Sequence, residues 1–113
     1  MSDLDTQSIA FEIRERRDAA QTTLELVGEF DLAVVDSVRA ALSSAEDHAP
    51  PRVLVDISRL TFMDSSGLAL LVETRQAAAA AGREFAITQP RGQVRKLFQL
   101  TGMLDGFVLH AAD

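Results

Sequence analysis

Cysteine, tryptophan and tyrosine are absent from this chain of 113 residues, and only three prolines interrupt it. Without cysteine there is no disulfide framework, no thiolate metal site and no cysteine nucleophile. The six aromatic residues are all phenylalanine, so there is little to stack on nucleic-acid bases. Neither Trp nor Tyr is available to anchor an interface. Positive charge is also short: 11 Lys and Arg stand against 17 Asp and Glu, a net charge of −6. The basic runs Arg14-Glu15-Arg16-Arg17 and residues 91–96 are brief and interrupted. Direct nucleic-acid binding, which needs a surplus of cations on one face, is not expected. The longest apolar runs, residues 68–72 and 77–81, fall far short of the roughly 18 residues that a membrane span requires. Met1-Ser2-Asp3-Leu4-Asp5 is acidic with no apolar stretch behind it, which is not a signal peptide. A cytoplasmic protein with no membrane partner is the expectation.

What is present is the composition of a folded domain, 47% hydrophobic and 25% charged. The length suits one domain over residues 1–113. Ile9, Phe11 and Ile13 alternate with polar residues, as do Leu24 and Leu26, which predicts two half-buried strands joined by a hairpin across polar residues 16–21. From Asp31 the period changes. Val34 or Val35, Val38, Ala41, Leu42 and Ala45 fall at helical spacing, with Asp31 placed as N-cap. Pro50-Pro51 then forces a loop. Val53-Leu54-Val55-Asp56-Ile57 reads as a central strand buried on both faces, followed by a polar turn at Ser58-Arg59. A helix follows Asp64-Ser65-Ser66-Gly67 and stops at Gly82, its alanine run 77–81 reading as a surface close to a neighbour. Phe85-Ala86-Ile87 is the next strand. A helix over residues 90–100 carries Val94, Leu97 and Phe98 inward and stops at Gly102, and Phe107-Val108-Leu109 reads as a short final strand. The predicted class is α/β: a mixed, mostly parallel sheet of four to five strands packed with three to four helices.

The chemistry sits in the strand-to-helix turn Asp64-Ser65-Ser66-Gly67. In a parallel sheet such turns gather at one edge, where the first helical amides point outward and favour an anion. A phosphate on Ser65 is predicted to meet those amides and the helix dipole, each contributing about 0.3–1 kcal/mol. The same residues are equally what a helix N-terminus requires for capping alone. Local sequence leaves both readings open.

A wider pattern separates them. Gly28-Glu29-Phe30-Asp31, the stretch from Val53 through Asp64-Ser65-Ser66-Gly67-Leu68, and the block Val94-Arg95-Lys96-Leu97-Phe98 to Gly102-Met103 together resemble the STAS domain family. Within it the likeness is to bacterial anti-sigma-factor antagonists of the sporulation and general-stress type. The resemblance covers residues 9–109. It implies that Ser65 is the phosphoacceptor and that the partner is an anti-sigma factor with serine kinase activity, with a serine phosphatase reversing the modification. It also implies a monomer or weak homodimer. Unphosphorylated antagonist captures the anti-sigma factor, and phosphorylated antagonist releases it. Glu29, Phe30, Asp31, Asp64, Ser66 and Gly67 match the partner-binding surface. Phe30 replaces a common Leu or Ile and is expected to tune kinase choice, and Ala69 replaces a common second Gly. Asp31 and Asp64 are expected to face the partner, so that phosphate charge beside them weakens docking.

Other residues carry less. His48 and His110 have no third ligand spaced for a metal, and no Gly-x-Ser-x-Gly elbow or placed His base supports hydrolase chemistry. The chain is read as a non-enzyme needing no cofactor. Gly102 and Gly106 read as a helix stop and a turn, since no Walker lysine follows. Periodicity leaves Phe62 and Met63 open between core and an exposed apolar rim. The STAS fold also serves as a scaffold or regulatory subunit of stress-sensing and lipid-transport complexes, which remains the alternative.

Overall fold

A computed structural model describes residues 10–110. The elements run β1 (Phe11–Arg17), β2 (Thr22–Phe30), a 3-10 turn (Leu32–Val34), α1 (Val35–Asp47), β3 (Arg52–Met63), α2 (Ser65–Ala80), β4 (Glu84–Thr88), α3 (Gly92–Leu100), a second 3-10 turn (Leu104–Gly106) and β5 (Val108–His110). The strands form one sheet in the order β1-β2-β3-β4-β5. β1 pairs antiparallel with β2 and all later pairs are parallel. The class read from the sequence therefore holds, with five strands and three helices. Ile9 and the acidic start lie outside the described residues.

Local chemistry explains the punctuation. Asp18 Oδ1 accepts from the N–H groups of Ala20 and Gln21 at 2.8 and 2.9 Å, closing the β1–β2 hairpin as an Asx turn. α1 buries Val35, Val38, Leu42 and Ala45, the stripe predicted, and packs on β2 and on α2. α2 packs on β4. Between helices and sheet lies the core of Leu24, Leu26, Val55, Ile57, Leu71 and Ile87, all fully buried. Gly82 and Gly102 end α2 and α3 in the left-handed region at φ +70° and +71°.

Four expectations change. β3 does not turn at Ser58-Arg59 but continues to Met63. Asp56 Oδ1 accepts from Ser58 N and Oγ at 3.0 and 2.7 Å. The polar pair is thereby absorbed into an irregularity of the strand, where the β2–β3 register slips. Nor is β3 buried on both faces: Val53, Val55 and Ile57 are buried, while Leu54, Asp56 and Ser58 are half-buried on the side away from the core. β2, conversely, is buried continuously from Thr22 to Leu26. Glu25 on its outer face is 8% exposed because Arg14, Arg16 and Arg59 reach over it, at 3.8, 4.0 and 3.4 Å. In the alanine run only Ala78 is buried, and its neighbours face solvent.

Candidate functional site

Parallel pairing brings the ends of β2 and β3 together, Glu29 beside Phe62 and Phe30 beside Met63. The two strands then end alike. A buried apolar residue, Phe30 or Met63, is followed by an aspartate in extended backbone, Asp31 at φ −120° and Asp64 at φ −104°. Each aspartate caps the turn it opens. Asp31 Oδ1 accepts from Ala33 N at 3.0 Å, whereas Asp64 Oδ1 accepts from Ser66 N at 3.0 Å, from Gly67 N at 3.3 Å and from Ser66 Oγ. Asp64 also joins the two turns: its Oδ2 accepts from Leu32 N and its own N–H donates to Phe30 O, both at 3.3 Å.

The other flank is held by α3. β3 outruns β4, whose pairing with it ends at Ile87 beside Val55. In the space beyond, Gln93 accepts from Met63 N at 3.0 Å and donates to Met63 O at 3.2 Å. The residue before the turn is thus fixed by a side chain from the first turn of α3.

Ser65 opens α2 and is exposed, and no side-chain hydrogen bond among the described residues involves it. Ser66 is half-buried with its hydroxyl committed to Asp64. Although adjacent in sequence, the two serines are chemically distinct: one hydroxyl is free and the other is part of a cap. Hydrogen bonding by Ser66, then by the amides of Gly67, Ser66 and Leu32, holds the Asp64 carboxyl below the usual range despite its partial desolvation. It is a carboxylate at neutral pH, directed into the turn.

The candidates divide between the surface where they were expected and the interior. Glu29 is exposed and Asp31 half-buried at the edge. Phe30, expected at the docking face, is fully buried with its ring 6.0 Å from that of Phe11. Gly67 is buried as well: a Cβ there would stand 3.1 Å from both Phe30 Cγ and Met63 Cγ. Its role is to let α2 approach the strand ends. Asp64 is turned toward the turn, and two of the first-turn amides that were to receive a phosphate, those of Ser66 and Gly67, already donate to it. Met63 belongs to the core, while Phe62 is 38% exposed.

One residue escaped the sequence reading. Leu32 is 72% exposed at this edge, its backbone tied to Asp64. Its signal is an apolar residue lying off the stripe of Val35, Val38, Leu42 and Ala45. Beside Ser65, a shallow groove of about 340 Å3 runs along α2 past Leu68, Ala69, Val72 and Gln76 to Met103. Among the described residues no three His, Asp or Glu side chains cluster to hold a metal, and no helix is long and apolar enough to cross a membrane.

Five strands in chain order with one antiparallel edge, packed with three helices, are the architecture of a STAS domain. The chain belongs to that family, whose model described as "Mlab, STAS domain" matches residues 13–109. It is similar to an anti-sigma F factor antagonist of Lysinibacillus sphaericus, with 34% identity over 82 residues, 71% of this chain and 69% of the relative. Among solved structures it resembles the anti-sigma factor antagonist SpoIIAA in its unphosphorylated form, with 28% identity, TM-score 0.74 and coverage of 92% and 89% of the two chains. It also resembles the Bacillus cell fate determinant SpoIIAA in the phosphorylated form, with 28% identity, TM-score 0.69 and coverage of 92% of each chain.

Proposed function

We propose that this protein is an anti-sigma-factor antagonist that captures its anti-sigma factor through the edge around Ser65 and releases it when Ser65 is phosphorylated by that partner. The observation that carries the reading is the contrast between the two serines, Ser65 exposed and unbonded, Ser66 locked to Asp64. A kinase needs a hydroxyl it can reach without breaking the helix start, and of the two serines in this turn Ser65 is the one that offers it.

The same geometry gives the switch its physics. A phosphoserine adds about −1.5 to −2 charges and three acceptor oxygens. Because Asp64 already satisfies the amides of Ser66 and Gly67, the fold does not take the phosphate in. It stays in solvent beside Leu32 and Phe62, the exposed apolar side chains of the edge, and a docked partner has to desolvate it. Glu29, Asp31 and Asp64 keep the neighbourhood negative. Release by this route needs no refolding, in keeping with the likeness of this chain to both forms of SpoIIAA.

A second reading keeps the STAS fold and changes the role to a regulatory subunit of a transport or stress-sensing complex. One experiment separates them. The protein, Ser65→Ala and Ser66→Ala are incubated with the candidate anti-sigma kinase and ATP and weighed by intact mass spectrometry. One added phosphate on the unmodified chain and on Ser66→Ala, with none on Ser65→Ala, is the expected result. Phosphate on Ser65→Ala overturns the site, and absence of both phosphate and complex with every such kinase of the source genome favours the second reading.

A further inference from the structure

The far end of α2 borders a second feature that the Ser65 edge does not use. β5 begins to pair with β4 only at Ala86, opposite Val108, so Glu84 and Phe85 have no strand beside them on that flank. The gap between the start of β4 and the C-terminal half of α2 is a pocket of about 400 Å3, within the size range of small-molecule sites. Its apolar lining is Ala79, Phe85, Ala86 and Val108, the last 61% exposed at the mouth. Its polar lining is Arg52, Arg75 and Arg83, with Glu84 at the rim.

These three arginines are half-buried, and their hydrogen-bond partners are neutral. Arg52 donates from Nε and Nη2 to Gln21 Oε1 at 2.9 and 2.6 Å, and its Nη1 lies 2.8 Å from His110 Nε2. Arg75 Nη1 donates to Gly106 O at 2.6 Å with the guanidinium 4.7 Å over the Phe107 ring, and Arg83 Nη1 donates to Glu46 O at 3.0 Å. Arg14, Arg16, Arg17, Arg39 and Arg59 each have a carboxylate within 4.0 Å. Among the described residues Arg52, Arg75 and Arg83 have none, as is also true of Arg91, Arg95 and Lys96 near the start of α3, but only the first three share one cavity, and Glu84 at its rim pairs with none of them. In a chain of net charge −6, three partly desolvated cations around one cavity with no counter-ion among the described residues are a charge arrangement left open. Nε and Nη2 of both Arg75 and Arg83 retain unpaired donors, and such donors bind oxyanions in charge-assisted, often bidentate fashion.

We propose that this pocket binds a small amphipathic organic anion, its carboxylate, sulfonate or phosphate head on Arg75 and Arg83 and its apolar body on Ala79, Ala86 and Val108. A bare inorganic anion leaves the apolar wall wet, and a neutral apolar molecule leaves the guanidiniums unpaired. Only a ligand with both parts answers both. Arg75 lies ten positions along α2 from Ser65, about 15 Å at the helical rise, so occupancy is independent of the switch edge.

The probe is 8-anilinonaphthalene-1-sulfonate, whose fluorescence is titrated with the folded protein, alongside its uncharged counterpart N-phenyl-1-naphthylamine and competition by decanoate and by inorganic sulfate. Saturable one-site binding is expected, with the uncharged dye at least about tenfold weaker, displacement by decanoate and none by sulfate. Arg75→Gln and Arg83→Gln each weaken the sulfonate about tenfold. Because both arginines also brace the scaffold, Ala79→Glu on the exposed face of α2 supplies a second variant that leaves those bonds in place and sets a carboxylate at the head-group site. It abolishes binding while the circular dichroism melt stays unchanged. Met103→Ala, in the groove beside Ser65, leaves binding intact. Equal affinity for the two dyes, no saturation up to about 1 mM, or full binding by Ala79→Glu overturns the assignment.

Discussion

Gly67→Ala tests whether the last residue of the Asp-Ser-Ser-Gly turn serves the fold or the partner surface. Two effects oppose each other. Alanine is favoured over glycine inside a helix by about 0.8–1 kcal/mol, and by less in the first turn where Gly67 lies. Against this, the new Cβ would stand 3.1 Å from Met63 Cγ and 3.1 and 3.2 Å from Phe30 Cγ and Cδ1. Both neighbours are fully buried and Phe30 also meets Phe11, so neither yields freely. Overpacking of this kind costs about 1–3 kcal/mol. The steric effect is the larger, and a net loss of about 1 kcal/mol is expected. With neither Trp nor Tyr in the chain, unfolding is followed by far-ultraviolet circular dichroism in urea. At a slope of about 1.5 kcal/mol per molar, the midpoint falls by about 0.7 M. The decisive arm is the same substitution in a Phe30→Leu background, where a flexible branch replaces the ring. There the loss shrinks toward zero, a coupling of about 1 kcal/mol. A midpoint that rises in the unmodified chain, or falls equally in both backgrounds, refutes the crowding and returns Gly67 to the binding surface.

Asp64→Ala removes the cap of α2 and the tie to Leu32, and is expected to cost about 1–2 kcal/mol in the same urea assay, with Asp64→Asn recovering most of the loss. Acid should act through Asp56 and Asp64, both held below the ordinary carboxylate range. For Asp56 burial opposes the shift, and hydrogen bonds from Ser58 and Thr88 outweigh it; for Asp64 the Ser66 hydroxyl leads. A depressed folded-state pKa gives stability that is complete above the unfolded value, about 3.9, and is lost as pH falls through the folded one. The urea midpoint should therefore be flat near neutrality and drop below about pH 4, with a smaller drop in Asp56→Asn; an unchanged drop in that variant removes Asp56 from the account. Ala49, at φ +48° ahead of Pro50, occupies a left-handed conformation that disfavours a Cβ, so Ala49→Gly should raise stability by about 0.5–1 kcal/mol. A lowered midpoint would show that the loop holds that angle without strain.

Periodicity revealed what depends on one face being buried. The stripe of α1, the Val94 and Phe98 face of α3 and the order of strands and helices were all legible, because each element writes its burial at a fixed spacing. What escaped depends on contacts between distant residues. Ser58-Arg59 looks like a turn until Asp56 Oδ1 gathers the Ser58 amide and hydroxyl and the strand carries on. Glu25 looks solvent-facing until arginines from β1 and β3 close over it. At the site, the pattern singled out residues 64–67 without sorting them. Hydrogen bonds and packing divide them into a cap, an exposed hydroxyl, a half-buried hydroxyl bonded to that cap and a close-packed glycine.

That sorting bears on how such a site can switch. If Asp64 pointed outward and left the amides of Ser66 and Gly67 free, a phosphate on Ser65 would be drawn into the helix start and the turn would rearrange around it. With Asp64 in place, the helix dipole is answered from within at about the strength expected of a good N-cap, about 1 kcal/mol. The same carboxylate that fixes the start of α2 holds Leu32 through its backbone. The tie that positions the apolar rim therefore does not involve the Ser65 hydroxyl. In the proposed switch, stability and signalling would fall to adjacent residues: Asp64 holds the edge, and Ser65 would be the residue to change its charge.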